Sequence, residues 1–499
     1  MSINKFFLQP LDRIAITILL FVFLLIWLLI LRGDIVQPSV REFSWENKRI
    51  GADEVSFGLT FSRPMDIKSV EENLIIDPPL AGKFSWVGRR RMVYTLLTPA
   101  PYGTDYQVKL QKAQDYFAAK AGGKKFIQPF IGKFSSRDRV ILYIGAESNN
   151  QGRLIMYNLT RQQKQILTPR DLVVTEFKPY SNREKILFTA HSARNEDILS
   201  AKLYTVTTGL STRQNKKPTQ PGQFKLTLDS EKYQILKFDL SPNGKTIVVQ
   251  RGNKDNPSDF GLWFMSDTGG ESAKDFQKLE SQPGGDFIIT PDGQAVAISQ
   301  GQGTAILPLQ IDANKPLDFL PQFGLVKAFS KDGASAAMVK FNADYTRELF
   351  LVTNQGPQKQ LFKTTGSILS CQFDSASPTI YCLLTRVLSG EIYQEQPYIV
   401  AINLRTGEQR PLLVLPTGQN NIRMNLSPDG LGLLFDQVYL QPTNFQQSPG
   451  INLRTDGGQQ IASSQLWLMP LLPIADLKSS KAITPDKLPL VGFNPQWLP

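Results

Sequence analysis

Between residues 137 and 499 one short pattern keeps returning: an apolar strand, a tight turn, and a second apolar strand. Four copies are clean, FDLSPNGKTIVV, FIITPDGQAVAI, AFSKDGASAAMV and MNLSPDGLGLLF. Two are degenerate, EFKPYSNREKILF and CQFDSASPTIYCLL, and the last, VGFNPQWLP, stops after its first strand. With Pro179, Pro242, Pro291, Lys331, Ser375, Pro428 and Pro495 as equivalent points, the spacings are 63, 49, 40, 44, 53 and 67 residues. Units of this size cannot bury an apolar face alone and must stack on copies of themselves.

Each unit continues with a third strand and another tight turn. Examples are Gly261 to Ser266 with Asp267-Thr268-Gly269-Gly270, and Tyr398 to Asn403 with Arg405-Thr406-Gly407-Glu408. Four strands per unit describe a propeller blade. The SPDG-type turn between the first two strands resembles the repeats of TolB-type (WD40-like) β-propellers, and the resemblance spans residues 137–499. It implies a surface of the kind that docks proteins in the bacterial envelope. The last repeat supplies only an inner strand, around Leu488 to Asn494, while three strands precede the first repeat: Val140 to Ile144, Leu154 to Asn158 and Gln165 to Thr168. Together they predict one composite blade in which the N- and C-terminal strands close the ring and cover the pairing edges. Seven blades are expected, with six or eight as the alternatives.

Ahead of the repeats, residues 41–136 read as short strands at intervals of about ten residues, as in a β-sandwich. Val55-Ser56-Phe57-Gly58-Leu59-Thr60-Phe61 alternates apolar with small or polar residues. The runs FSRPMDIKSVEENLIIDPPLAGKFSW and TPAPYGTDYQVKL resemble the bacterial Ig-like domain of the SbsA type. That resemblance implies a spacer or adhesive module, commonly extracytoplasmic, without catalytic residues.

Residues 14–31, IAITILLFVFLLIWLLIL, carry no charge and are flanked by Arg13 and Arg32. At 1.5 Å per residue such a stretch just crosses a hydrocarbon core of about 30 Å. No small-x-small cleavage pattern follows, so the expectation is an uncleaved signal-anchor behind a short tail of residues 1–13, with a linker at 32–40. On this reading the N-terminus is cytoplasmic and the bulk of the chain is extracytoplasmic or periplasmic, held by a single pass in the bacterial inner (plasma) membrane. The net charge is +11. It reads as solvated surface charge or as attraction to anionic lipid, and no basic-aromatic interleaving suggests nucleic acid.

The chemistry-bearing inventory is thin. One His and two Cys rule out the usual zinc frameworks, and no cofactor or metal motif is present. A propeller-fused serine hydrolase would need a GxSxG elbow and room for an α/β domain, and neither exists. The sole histidine, His191, has no motif around it. Gly244-Lys245-Thr246 mimics the end of a P-loop, but Asp239 stands where its first glycine belongs. Cys371 and Cys382 fall on adjacent strands of one repeat, where they form either a disulfide or two buried thiols.

Function therefore rests on the loops. Second-to-third-strand connections share one face with the blade crossovers, and four are long: Ala190 to Ala201, Arg251 to Gly261, Thr385 to Pro397, and Asp436 to Ser464. Their candidate contact residues are Arg194, Glu196, Asp197, Lys254, Asp255, Arg386, Glu391, Tyr393, Tyr439, Phe445 and Arg454. The expected role is a membrane-anchored, non-enzymatic binding or scaffolding protein that engages a protein or an envelope polymer. The alternative is a propeller enzyme, a carboxylate-based hydrolase or lyase acting on an envelope carbohydrate, which would require convergent Asp and Glu in the channel.

Overall fold

The computed structural model describes residues 10–31, 36–194, 197–213, 219–266, 276–279, 284–310, 316–356, 358–419, 421–441, 452–455, 457–471 and 484–499, with side chains in the first helix described for residues 14–27. The chain forms two compact units. One comprises Met1–Glu46, Ser56–Thr98 and Tyr106–Lys133; the other comprises Asn47–Val55, Pro99–Asp105 and Phe134–Pro499.

In the larger unit the repeats become seven four-stranded antiparallel sheets among the described residues. Their inner strands are Leu172–Pro179 (blade 1), Tyr233–Leu240 (blade 2), Phe287–Ile289 (blade 3), Leu325–Phe329 (blade 4), Ile368–Phe373 (blade 5), Met424–Leu426 (blade 6) and Gly492–Trp497 (blade 7). No sheet closes on itself. The terminal strands meet inside one open sheet, where Gly492–Trp497 pairs with Val140–Gly145, followed outward by Leu154–Asn158 and Gln163–Ile166. The pairing strand begins later than the expected Leu488, with Phe493 opposite Ile144 and Trp497 opposite Ile141. Apolar clusters fill the spaces between neighbouring blades; one joins Phe177 and Phe188 of blade 1 to Leu142 and Ile144 of blade 7 and to Val438 of blade 6. Seven sheets stacked in sequence, the last completed by the first and last strands of the repeat region, make a β-propeller.

The turn chemistry explains the regularity. In the SPDG-type turns of blades 2, 3, 4 and 6, Gly244, Gly293, Gly333 and Gly430 hold φ of 69°, 71°, 71° and 71°, a left-handed conformation that favours glycine. Each turn is closed by the same two bonds, in blade 2 from Ser241 N to the Thr246 carbonyl (2.8 Å) and from Gly244 N to the Ser241 carbonyl (2.7 Å). Blade 1 makes the same pair through Tyr180 N to Lys185 O (3.0 Å) and Arg183 N to Tyr180 O (2.9 Å). Tyr180 thus replaces the serine and Arg183 the glycine, so Ser181, not Pro179, is the residue equivalent to Pro242.

In the smaller unit, Val40–Phe43, Ser56–Phe61, Arg91–Leu96 and Gly82–Val87 form one sheet in that spatial order. Phe57, Leu59 and Phe61 point inward and alternate with exposed or half-buried neighbours, and Phe57 meets Phe43 edge-on at 5.4 Å. Asp66 caps the short helix Ile67–Asn73 by accepting Ser69 N at 2.9 Å. Met65 is fully buried, and Arg63 beside it bonds Asp115 at 2.9 Å.

The anchor expectation is corrected here. Residues Pro10–Leu31 are helical, yet no helix among the described residues is long and apolar enough to cross a membrane. The transmembrane helix is therefore removed from the fold class. With it goes the single-pass placement in a bacterial inner membrane and the topology built on it. The architecture is mainly β, with three α-helices among the described residues.

Candidate functional site

The inner strands carry a repeated position, two residues before the one that Ser241 holds in blade 2, and in blade 7 the residue paired with Leu142 in the same register. In blades 1, 2, 5, 6 and 7 it holds Lys178, Asp239, Gln372, Asn425 and Gln496, and each reaches the next inner strand. Lys178 pairs with Asp239 at 3.4 Å. Asp239 accepts Ile289 N at 3.1 Å. Gln372 clamps blade 6 by donating to the Met424 carbonyl (2.9 Å) and accepting Leu426 N (2.7 Å). Asn425 accepts Trp497 N at 2.7 Å, and Gln496 donates to the Phe177 carbonyl at 2.9 Å. Blades 3 and 4 place Ile288 and Ala328 there instead. The belt fixes blade to blade through one ion pair and several side-chain-to-backbone bonds, and Lys178, Gln372, Asn425 and Gln496 of it also line a cavity.

Further charged residues lie close to this belt. Lys237 pairs with Asp286 and donates to the Phe287 carbonyl at 2.8 Å. Lys327 approaches the Leu369 carbonyl at 3.4 Å, and burial pushes its ammonium below the ordinary lysine range. The Asp239 carboxylate holds Lys178 above that range against the opposing effect of burial. Asp436, fully buried, accepts main-chain N–H groups from Arg423 (2.6 Å) and Asn494 (2.7 Å). Burial nevertheless pushes its carboxyl up to about 7.

Two cavities open between these strands. One, of about 390 Å³, lies among Glu176, Gln372, Arg423, Asp436 and Asn494. The other, of about 910 Å³, lies among Asp197, Lys237 and Asp286, and the two share Glu176, Lys178, Arg423, Arg454 and Thr455. They form one polar space in which cations face anions. Two of its acids are tied down, Asp286 to Lys237 and Asp436 to two backbone donors.

The structure brings only two of the expected loop residues to this space. Asp197 lines it while capping the turn Ile198–Ser200 through Leu199 N at 2.9 Å. Arg454 lines it while donating to the Gly458 carbonyl at 3.0 Å. Tyr393 donates its hydroxyl to Glu395 and lines a separate cavity on blade 5 with Ser367 and Thr385; Glu391 is exposed on the same loop. Arg386 bonds Gln396 at 2.8 Å. Lys254 bonds the Ser230 carbonyl at 2.5 Å, and the Asp255 main-chain N–H donates to Asn253 at 2.9 Å. The Arg194 main-chain N–H donates to Ser192 at 3.3 Å. Tyr439 stands on a strand rather than a loop, because the pairing of Gly432–Leu440 with Ile461–Pro470 runs through Asp436 and Val438. Glu196 and Phe445 lie outside the described residues.

The belt residues escaped the sequence reading, although a signal existed. A Lys, Asp, Gln or Asn at a fixed distance from the turn interrupts otherwise apolar inner strands. Cys371 and Cys382 are direct cross-strand partners and form a disulfide bond between the first two strands of blade 5.

No family model, that of the Ig-like domain included, matches the sequence, and no curated protein does either. Among solved structures the chain is similar to TolB from Acinetobacter baumannii, at 12% identity over 86% of this chain and 83% of that one, with a TM-score of 0.39. It is similar to the periplasmic gluconolactonase PpgL of Pseudomonas aeruginosa, at 13% identity over 72% and 99% of the two chains, TM-score 0.44. It is also similar to a 6-phosphogluconolactonase-like protein from Bacteroides uniformis, at 13% identity over 72% and 100%, TM-score 0.44. At these identities and TM-scores the likeness carries no argument about this chain's fold or activity.

Proposed function

We propose that the protein is a non-catalytic binding platform that receives a polar, charge-bearing segment of a partner protein at the mouth of the propeller channel. The carrying observation is the state of the channel acids. Asp239 is held by Lys178 and by Ile289 N, Asp286 by Lys237, and Asp436 by two backbone N–H groups. Carboxylates fixed in this way serve as scaffold, whereas acid-base chemistry needs a pair poised around a shared substrate atom. What remains toward the mouth is a mixed surface of Glu176, Arg423, Arg454 and Thr455. Such a surface selects partners by charge complementarity and orientation.

Charge reversal tests this. After in-cell crosslinking, a protein captured by the wild type should be lost from Arg454→Glu and retained by Arg386→Glu, whose side chain lies away from the channel. A partner captured equally by both variants would contradict the placement of the site.

A further inference from the structure

At the end of blade 1 opposite the long loops, one residue departs from the rule that governs the turns of blades 2, 3, 4 and 6. Four SPDG-type turns use glycine for the left-handed position, and in blade 1 that position is Arg183, with φ of 63°. A bulky side chain there is strained. Its side chain is also unusual in being buried, with 6% of the residue exposed. One terminal nitrogen donates to the Asp138 carbonyl at 3.1 Å, but Nε has no acceptor among the described residues.

Further guanidinium groups gather around it, and the Asp138 charge offsets them only in part. Arg137 and Arg139 line the same small space with Arg183, Asp138, Tyr102 and Trp497. The nearby carboxylates are engaged elsewhere. Glu54 takes Arg137 at 3.5 Å and also Lys48; Asp429 takes Arg139 at 2.5 Å; Asp138 takes Arg161 at 2.8 Å. Arg137 also donates to the Pro499 main-chain oxygen at 3.3 Å. Burial, and then the Arg137 charge, push the Arg183 guanidinium down to about 9, still charged at neutral pH. A buried cation without a carboxylate partner is expensive to hold in a folded protein. The space has room for the centre of one water-sized particle, about 10 Å³, too little for an organic acid.

We infer that Arg183, with Arg137 and Arg139, forms a binding site for a single small inorganic anion of halide size beside the first turn of blade 1. The anion accepts from Arg183 Nε and neutralises the arginine cluster where blade 1 meets the start of blade 7. Arginine in place of glycine is then explained, since the turn alone would be better served by glycine.

Two measurements on the full chain test this. Thermal unfolding is followed in sodium bromide or chloride against sodium gluconate at equal ionic strength, and bromide-soaked crystals are examined for anomalous scattering. The wild type should gain a saturable rise in Tm, on the order of a few degrees, with halide alone, and an anomalous peak within hydrogen-bonding distance of Arg183 Nε. Arg183→Gly restores the residue used by the other turns and suits the backbone, so it should fold yet lose both the halide response and the peak. An equal Tm response to halide in wild type and Arg183→Gly would overturn the assignment. So would a water at that position with no anomalous signal.

Discussion

Asn425 and Trp497 hold each other twice: the Asn425 side-chain oxygen accepts the Trp497 main-chain N–H at 2.7 Å, and the Trp497 indole N–H donates to the Asn425 carbonyl at 3.1 Å. Trp497 belongs to the strand that completes blade 7, and Asn425 to the inner strand of blade 6. The two bonds tie the end of the repeat array to its neighbour. Trp497 is 5% exposed, so its main-chain N–H would find no substitute acceptor. Asn425→Leu should therefore lower unfolding free energy by about 1–3 kcal/mol, read from urea denaturation. Asn425→Asp, which keeps an acceptor for the N–H, should lose less.

Asp436 gives the stability of the propeller a pH dependence. Its carboxyl is raised from 3.8 to about 7 by burial. The folded chain therefore keeps a proton that the unfolded chain releases between those values. Where the folded state binds more protons, stability falls as pH rises. The contribution from this group declines from about pH 4 through pH 7 and levels above, by a few kcal/mol in order of magnitude. Asp436→Asn should flatten that slope. It should also cost about 1–3 kcal/mol at pH 5, because an amide cannot accept both the Arg423 and Asn494 N–H groups. At pH 8 the deficit against wild type should be smaller. Urea unfolding at the two pH values checks both statements.

The Cys371–Cys382 bond staples the first two strands of blade 5 across a separation of 11 residues. Both residues sit in an apolar cluster with Ile380, Leu384 and Val400. Closing a loop of that size restrains the unfolded chain by about 2–3 kcal/mol at most. The double substitution Cys371→Ala with Cys382→Ala should lower Tm, and hydrogen exchange should quicken most in blade 5. A Tm unchanged by reduction and by the double substitution would show that the strand pairing alone holds the hairpin.

The parts of the fold visible in the sequence are those dictated by local chemistry. Ser-Pro-Asp-Gly demands a tight turn with a left-handed residue, and Ile247-Val248-Val249 demands a buried strand, so repeated blades are legible, seven expected with six or eight as alternatives. Where the turn uses other residues the register is not legible: Pro179 aligns with Pro242 by residue type, whereas Tyr180 and Arg183 take the serine and glycine positions with no local signal to mark them. Asp436 read as the start of a loop because a carboxylate in a buried strand contradicts simple patterning. Only the backbone donors of Arg423 and Asn494, brought together from blades 6 and 7, make its position tenable. The channel site is least visible in the sequence, because Lys178, Asp239, Lys237 and Asp286 meet across blades and no local motif records the meeting.

The channel reading is tested most directly by a photo-crosslinking residue placed in turn at two positions in the full chain. Thr455 lines the channel mouth, and Glu408 lies in the turn Arg405-Thr406-Gly407-Glu408 between the third and fourth strands of blade 5. A discrete protein adduct from Thr455, absent from Glu408 and abolished by Arg454→Glu, is the predicted result. Adducts from Glu408 alone, or the same adduct from both positions, would contradict a platform that binds its partner at the channel mouth.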